Sequence, residues 1–336
     1  MPVSSQVGEP VNSPPDEFPA RPRLRARLWR VARWFLLAVV ALIAALTVAS
    51  FSYNAATGGP AARPAGLLMA KGGGFDTRYL SWGTKGTPIV LVPGAAETAD
   101  TFSALGPVLG TNHRVFAIDL TGTGYSTPSP PYSTAHLAAQ LLAFLAAKGL
   151  TGANAPMLVG HSSGAAVVGL AAVDGGPQAV REVVFLDGDA TPLSGGGPGF
   201  LGDLLINPYR TSLLRLALSQ DWLIRDIYNS QCGPLCPSLS GAGVETWRLP
   251  LQQPGFAGFA DYTLHHGIVS MTPAQFAALR ALPVPKRVIS GADDPQMSAS
   301  DMAQTAARIG APSPATVPGR HLTMISSPRQ LAALLG

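Results

Sequence analysis

The stretch "PMLVGHSSGAAVVGLAAV" (residues 156–173) decides how the rest of the chain is read. An apolar run rises to a tight Gly-His-Ser-Ser-Gly and passes at once into small residues suited to a helix. In a chain with 37 glycines, Gly-x-Ser-x-Gly alone says little. Its setting says more. Ser162 stands where a buried strand meets a helix, and a serine on such a strained elbow lifts its Oγ above the sheet. Gly160 and Gly164 keep the adjoining turns free of Cβ clashes, and the N–H groups that open the helix point toward any negative charge forming there.

Working outward, "PIVLVPG" (88–94), "RVFAIDL" (114–120), "EVVFLDG" (182–188) and "KRVISGA" (286–292) have the same short, apolar character, each bounded by Gly, Pro or Asp. That is the signature of buried parallel strands. Helical patterns lie between them at 134–150, 164–173 and 300–310, and "GLLMAKGGGFDTRYLSWGTKG" (66–86) reads as an antiparallel entry hairpin. Alternating strand and helix imply an α/β fold with a doubly wound, mostly parallel sheet. Nearly 100 residues separate the strand ending at Gly188 from the one starting at Lys286. They include helical patterns at 209–229 and 272–282, and we read residues 191–283 as a helical cap over the carboxyl end of the sheet, where such folds bind ligands.

These motifs, in this order, resemble the α/β-hydrolase superfamily over residues 67–336. "GHSSG" is similar to that family's nucleophile elbow, "VFAIDLTGTGYS" (115–126) to its strand-end motif, and "LVPGAAE" (91–97) stands at its oxyanion loop, with Pro93 where a His is common. "SGADDP" (290–295) resembles the acid-bearing turn, and "GRHLTMISSPRQLAALL" (319–335) the histidine loop and closing helix. The resemblance implies a Ser-Asp-His triad of Ser162, Asp294 and His321. It also implies an oxyanion hole from the backbone N–H groups of Ser163 and of Ala95, with Ala96 as the other choice. Asp187 and Asp189, one strand earlier, are the rival acids, with turn capping as their simpler role. Asp293 is expected to shape the turn, and Asp119 and Ser126 to shape the loop leaving their strand.

A serine hydroxyl needs a base, and the base needs a third group to orient it. Of six histidines, His321 follows a Pro-Gly-Arg turn as a loop-borne base should. His161, adjacent to Ser162, cannot easily turn back onto it. His113 and His136 flank ordinary element starts, and His265 and His266 fall in the cap, within reach of substrate.

Charge is unevenly distributed. "RPRLRARLWRVAR" (21–33) holds six arginines, whereas from Arg63 onward 17 Lys and Arg face 16 Asp and Glu. A single basic cluster does not make a nucleic-acid face. Residues 34–53 carry no charge and, as a helix, would span about 30 Å, the thickness of a bilayer core. The reading is a Pro/Arg-rich cytoplasmic tail (1–33), a transmembrane anchor (34–53), a linker (54–66) and an extracytoplasmic domain. The rival is a signal peptide cleaved near Val48-Ala49-Ser50. Either way the domain is exported, where Cys232 and Cys236 would meet an oxidising compartment and pair.

No metal cluster, phosphate loop or dinucleotide fingerprint is present in the sequence, so no cofactor and no metal are expected. The expected activity is hydrolysis of a carboxylic ester or related acyl substrate through an acyl-enzyme. The anchor and Leu-rich cap tilt the substrate toward a lipophilic small molecule. An acyltransferase using the same triad, or a membrane-tethered binding protein on a hydrolase fold, are the alternatives.

Overall fold

The computed structural model describes residues 8, 22–59, 61–192 and 206–336, and the backbone alone of residues 22–25. Residues 1–21 of the expected tail (1–33) therefore lie outside the described residues apart from Gly8, as does the start of the cap at 193–205. The described chain divides into two compact units, Met1–Ser50 and Phe51–Gly336.

Helix α1 (Pro22–Thr57) supplies the first unit and enters the second. It starts earlier and ends later than the apolar stretch. The Arg/Leu/Ala run of residues 23–33 is made of strong helix formers, proline suits a first helical position, and nothing breaks the helix before Gly58-Gly59-Pro60. The linker expected to begin at residue 54 is thus helical through Thr57. Among the described residues, this is the one helix long and apolar enough to cross a membrane.

The second unit is built on an eight-stranded sheet. β1 (Leu68–Gly72) and β2 (Phe75–Trp82) form the expected hairpin. β3 (Pro88–Val92), β4 (Arg114–Ile118), β5 (Met157–His161), β6 (Glu182–Leu186) and β7 (Lys286–Gly291) match the five apolar runs. A short β8 (Ala315–Val317) has no counterpart among the apolar runs; three residues between Pro314 and Pro318 are too few to show a period. The order is β1-β2-β4-β3-β5-β6-β7-β8, with β2 antiparallel to both its neighbours, β1 and β4, and every other pair parallel.

Alternation along each strand feeds two cores. Val90, Val92, Leu158, Val183 and Phe185 face helices α3 (Thr134–Ala147) and α4 (Gly164–Ala179). Ile89, Leu91, Val159, Val184 and Leu186 face the segment around Phe102, the short helix α2 (Leu105–Leu109) and the closing helix Pro328–Leu335.

Four cap helices are described: Tyr209–Leu218, Asp221–Cys232, Gly241–Leu251 and Pro254–His266. The single helical pattern at 209–229 breaks in two because Gln220 turns extended and Asp221 opens a new helix, where an acid suits the dipole. Cys232 and Cys236 are disulfide-bonded. The helix Pro273–Ala281, read as the end of the cap, instead buries Phe276 and Leu279 in the main core beside α4.

One arginine fastens this side of the sheet through two ion pairs. Arg78 on β2 forks onto Asp100 at 2.8 and 2.9 Å and reaches Asp119 at 3.1 Å. Asp119, fully buried after β4, also accepts from the N–H groups of Ala99 and Tyr125, at 2.8 and 2.7 Å. This is the turn-shaping role expected of it. Removing one partner leaves the other charge buried, so Arg78→Leu is expected to lower the unfolding free energy by about 3–5 kcal/mol, read from urea denaturation.

Candidate active site

The carboxyl ends of five adjacent parallel strands bring the expected residues together. β3 leads into Gly94-Ala95-Ala96-Glu97, β5 into Ser162, β6 into Asp187, β7 into Asp294 and β8 into His321.

Ser162 sits at φ +51°, between the end of β5 and the start of α4. Its N–H donates to Leu186 O at 2.8 Å, which pins the elbow to β6. The flanking glycines allow the close approach. A Cβ on Gly160 would lie 2.4 Å from Gly164 O, and one on Gly164 would lie 2.6 Å from Pro93 O. Ala96, Ser162, Asp187 and Ala190 are the non-glycine residues with positive φ among the described residues, and all four cluster here. Each such conformation costs on the order of 1–3 kcal/mol and persists only where its surroundings impose it.

His321 and Asp294 are buried and paired. Nδ1 of His321 donates to Asp294 at 2.9 Å (Oδ2) and 3.2 Å (Oδ1). Asp294 also accepts from Gln296 N at 2.8 Å and from Ser290 Oγ at 3.3 Å. Nε2 of His321 has no hydrogen-bond partner among the described residues and is free to take a proton. A cavity of about 310 Å³ is lined by Ser162, Ser163, Ala95 and His321 together with Ile268, Val269 and Met297. Neither the N–H of Ala95 nor that of Ser163 finds an acceptor among the described residues.

The rival acids do other things. Asp187 accepts from Gly291 N at 2.7 Å and from the Thr323 hydroxyl, whereas Asp189 accepts from Thr191 N at 2.9 Å and lines the cavity. Asp293 is exposed; its backbone N–H donates to Gly319 O at 3.0 Å, and the carboxylate that shapes this turn through Gln296 N is that of Asp294. His113 and His136 lie in packing positions, on Thr87 O at 3.3 Å and Ser129 Oγ at 3.1 Å. His265 and His266 do not reach the cavity lining among the described residues; His265 binds Asp261 O at 2.8 Å and His266 packs on the Tyr262 ring.

Sequence reasoning missed Glu97 as a partner. His161, fully buried, turns away from Ser162 and places Nδ1 2.8 Å from Glu97 Oε2 and Nε2 2.8 Å from the backbone oxygen of His321. Burial disfavours the imidazolium, but Glu97 and Asp187 outweigh it and push the His161 pKa up to about 9. Burial likewise works against the Glu97 carboxylate, and His161 overcomes it, holding Glu97 below the usual range. Asp187, buried and less well compensated, is pushed up to about 6. The available signal was an acid at the end of "LVPGAAE" beside a histidine that could not serve its own serine.

A family model described as "Alpha/beta hydrolase family" matches residues 89–334. The chain belongs to this family. Among curated proteins it is similar to the N-formylmaleamate deformylase of Pseudomonas putida, 36% identical over 126 residues. That match spans 37% of this chain and 44% of the relative, less than half its length. Among solved structures, a candidate lipase from Acinetobacter baumannii superposes with TM-score 0.65 at 17% identity, over 86% of this chain and 93% of that one. A membrane phospholipase A, a bacterial virulence factor, superposes with TM-score 0.63 at 17% identity, over 92% of this chain and 96% of that one. At these identities the two structures speak for the shared fold.

A histidine whose folded pKa stands above its unfolded value of about 6.5 stabilises the fold fully below that value. This contribution is lost as pH rises through about 9. Melting temperature should therefore fall between neutral pH and pH ~10 in the native chain, and fall less in Glu97→Gln, where the partner charge is gone. Scanning calorimetry across that range checks both.

Proposed function

We propose that the protein is a serine hydrolase that cleaves a carboxylic ester, or a related acyl substrate, through an acyl-enzyme on Ser162. The observation carrying this reading is that His321, its Nδ1 held by Asp294 at 2.9 Å, lines the same cavity as Ser162.

His321 Nε2 takes the proton of Ser162 Oγ as the oxygen attacks the substrate carbonyl. The tetrahedral oxyanion is received by the N–H groups of Ala95 and Ser163, fixed donors that need no reorganisation as charge develops. His321 then gives its proton to the departing alkoxide or amine. Water, activated by the same histidine, attacks the acyl-enzyme and releases the acid. Asp294 keeps the proton of the resting ring on Nδ1, which leaves Nε2 basic.

The cavity of about 310 Å³ lies at the small end of ligand sites, and Ile268, Val269 and Met297 give it apolar walls. A short to medium acyl group of lipophilic character fits it. The N-formyl group named for the Pseudomonas putida relative is also an acyl group open to this chemistry.

Residues 34–53 would anchor the chain, with the arginine-rich side in the cytoplasm and the hydrolase domain outside. The apolar helix, the disulfide and the membrane phospholipase among the structural neighbours support that arrangement. The full chain is expected to stay with membranes through an alkaline carbonate wash, and its release would favour the cleaved form.

Labelling of the full chain in detergent by a fluorophosphonate probe tests the assignment. The native chain should label and Ser162→Ala should not; a correctly folded native chain that takes no probe would overturn the reading. Asp294→Asn is expected to lower kcat by about 10⁴-fold, because it misorients the base. Asp189→Asn should change it by no more than about tenfold, as a turn-capping role requires. A p-nitrophenyl ester series, with an N-formyl amide beside it, reads out acyl preference; turnover confined to acetyl esters would argue against a lipophilic substrate.

A further inference from the structure

Behind the triad lie two buried side chains that the chemistry above does not use. His161 ends β5, immediately before the nucleophile, and Glu97 ends the loop that carries Ala95. The same Glu97 oxygen that meets His161 Nδ1 at 2.8 Å also accepts from Gly94 N at 3.0 Å, which closes the loop on itself. On the other side of the ring, Nε2 meets the backbone oxygen of His321 at 2.8 Å.

We propose that His161 and Glu97 are positioning residues that lock the oxyanion loop and the catalytic histidine onto the strand bearing Ser162. The proposal rests on the assignment of Ser162 and His321 made above. A carbonyl oxygen can only accept, and so can an ionised carboxylate. Donating to both therefore requires a proton on each ring nitrogen, so the bridge works as an imidazolium. Three titratable groups face that ring: Glu97 from the loop after β3, Asp187 from the end of β6 at 3.8 Å, and the His321 ring at 4.9 Å between centroids. Asp187 extends the lock, because its two oxygens hold Gly291 N and the Thr323 hydroxyl, in the segments that carry Asp294 and His321.

An apolar filler of similar shape would pack this space more cheaply than a buried charge cluster, but it could not direct a carbonyl or a loop. Displacements of an ångström at a reacting centre cost on the order of 10²-fold in rate. The lock should therefore show in kcat more than in KM. The imidazolium also opposes protonation of the neighbouring base, so its removal has a signed effect. The acid limb of the pH–rate profile should move to higher pH.

The experiment uses the full chain in detergent, p-nitrophenyl butyrate as substrate and a fluorophosphonate as probe. His161→Gln and Glu97→Gln are compared with the native chain. Losses of roughly 10- to 100-fold in kcat, little change in KM and an upward shift of the acid limb in His161→Gln would support the lock. Folded variants with native kcat and an unmoved limb would overturn it. Absence of probe labelling in the native chain overturns the triad and the lock together, and is seen before any variant is made. If neither variant folds, ¹⁵N-histidine spectra of the native chain decide. A buried ring protonated on both nitrogens at about pH 8 supports the lock, and one carrying a single proton sinks it.

Discussion

Strand β5 turns into helix α4 within the space of two residues, and much of the molecule is arranged so that it can. The turn holds Ser162 in the left-handed region, which a serine does not adopt unaided. The hydrogen bond from its N–H to β6 and the bare backbone of Gly164 against the end of β3 impose it. Both neighbours of β5 are thus committed: one supplies the acceptor, the other the space. Because β3 and β6 are parallel to β5, their own carboxyl ends arrive at the same edge, and the oxyanion loop and Asp187 come with them.

Charge, too, is concentrated where water is absent. Glu97, His161 and Asp187 are nearly or wholly buried, a placement that costs several kcal/mol per ion unless partners and hydrogen bonds offset it. Here Glu97 Oε2, both His161 nitrogens and both Asp187 oxygens have directed partners, among them the oxyanion-loop backbone, the histidine-loop backbone and the Thr323 hydroxyl. Strain and buried charge therefore coincide at one edge of the sheet, as expected where geometry serves chemistry rather than stability. Arg78 is buried too, but its ion pairs with Asp100 and Asp119 tie down the antiparallel side of the sheet, and none of these three residues lines the cavity.

The central strands could be read from the sequence because buried parallel strands are continuous apolar runs, and β3 to β7 are such runs with glycine, proline or aspartate at their ends. Ser162, Asp294 and His321 could be picked out as candidates because each sits at a strand end, a place fixed by order along the chain. Other features left no such trace. β8 is three residues long, too short for a period. The break at Ser219–Gln220 occurs where both flanking segments are good helices. The helix Pro273–Ala281 looks like its cap neighbours in sequence, and only tertiary packing assigns it to the core. The Glu97–His161 contact joins residues 64 apart, and no local pattern reports a pairing across two strands. Asp293 and Asp294 are adjacent and alike, and which of them points inward is set by the register of β7.

The bond from His161 to the His321 backbone spans 160 residues of chain. During synthesis at roughly 5–20 residues per second, the nucleophile strand waits on the order of ten seconds or more for its partner to emerge. Until then His161 has Glu97 alone to hold it, Asp187 lacks both Gly291 and Thr323, and the sheet stops at β6. A nascent chain at that stage holds Ser162 without His321. The sheet around the elbow is completed only by the closing residues.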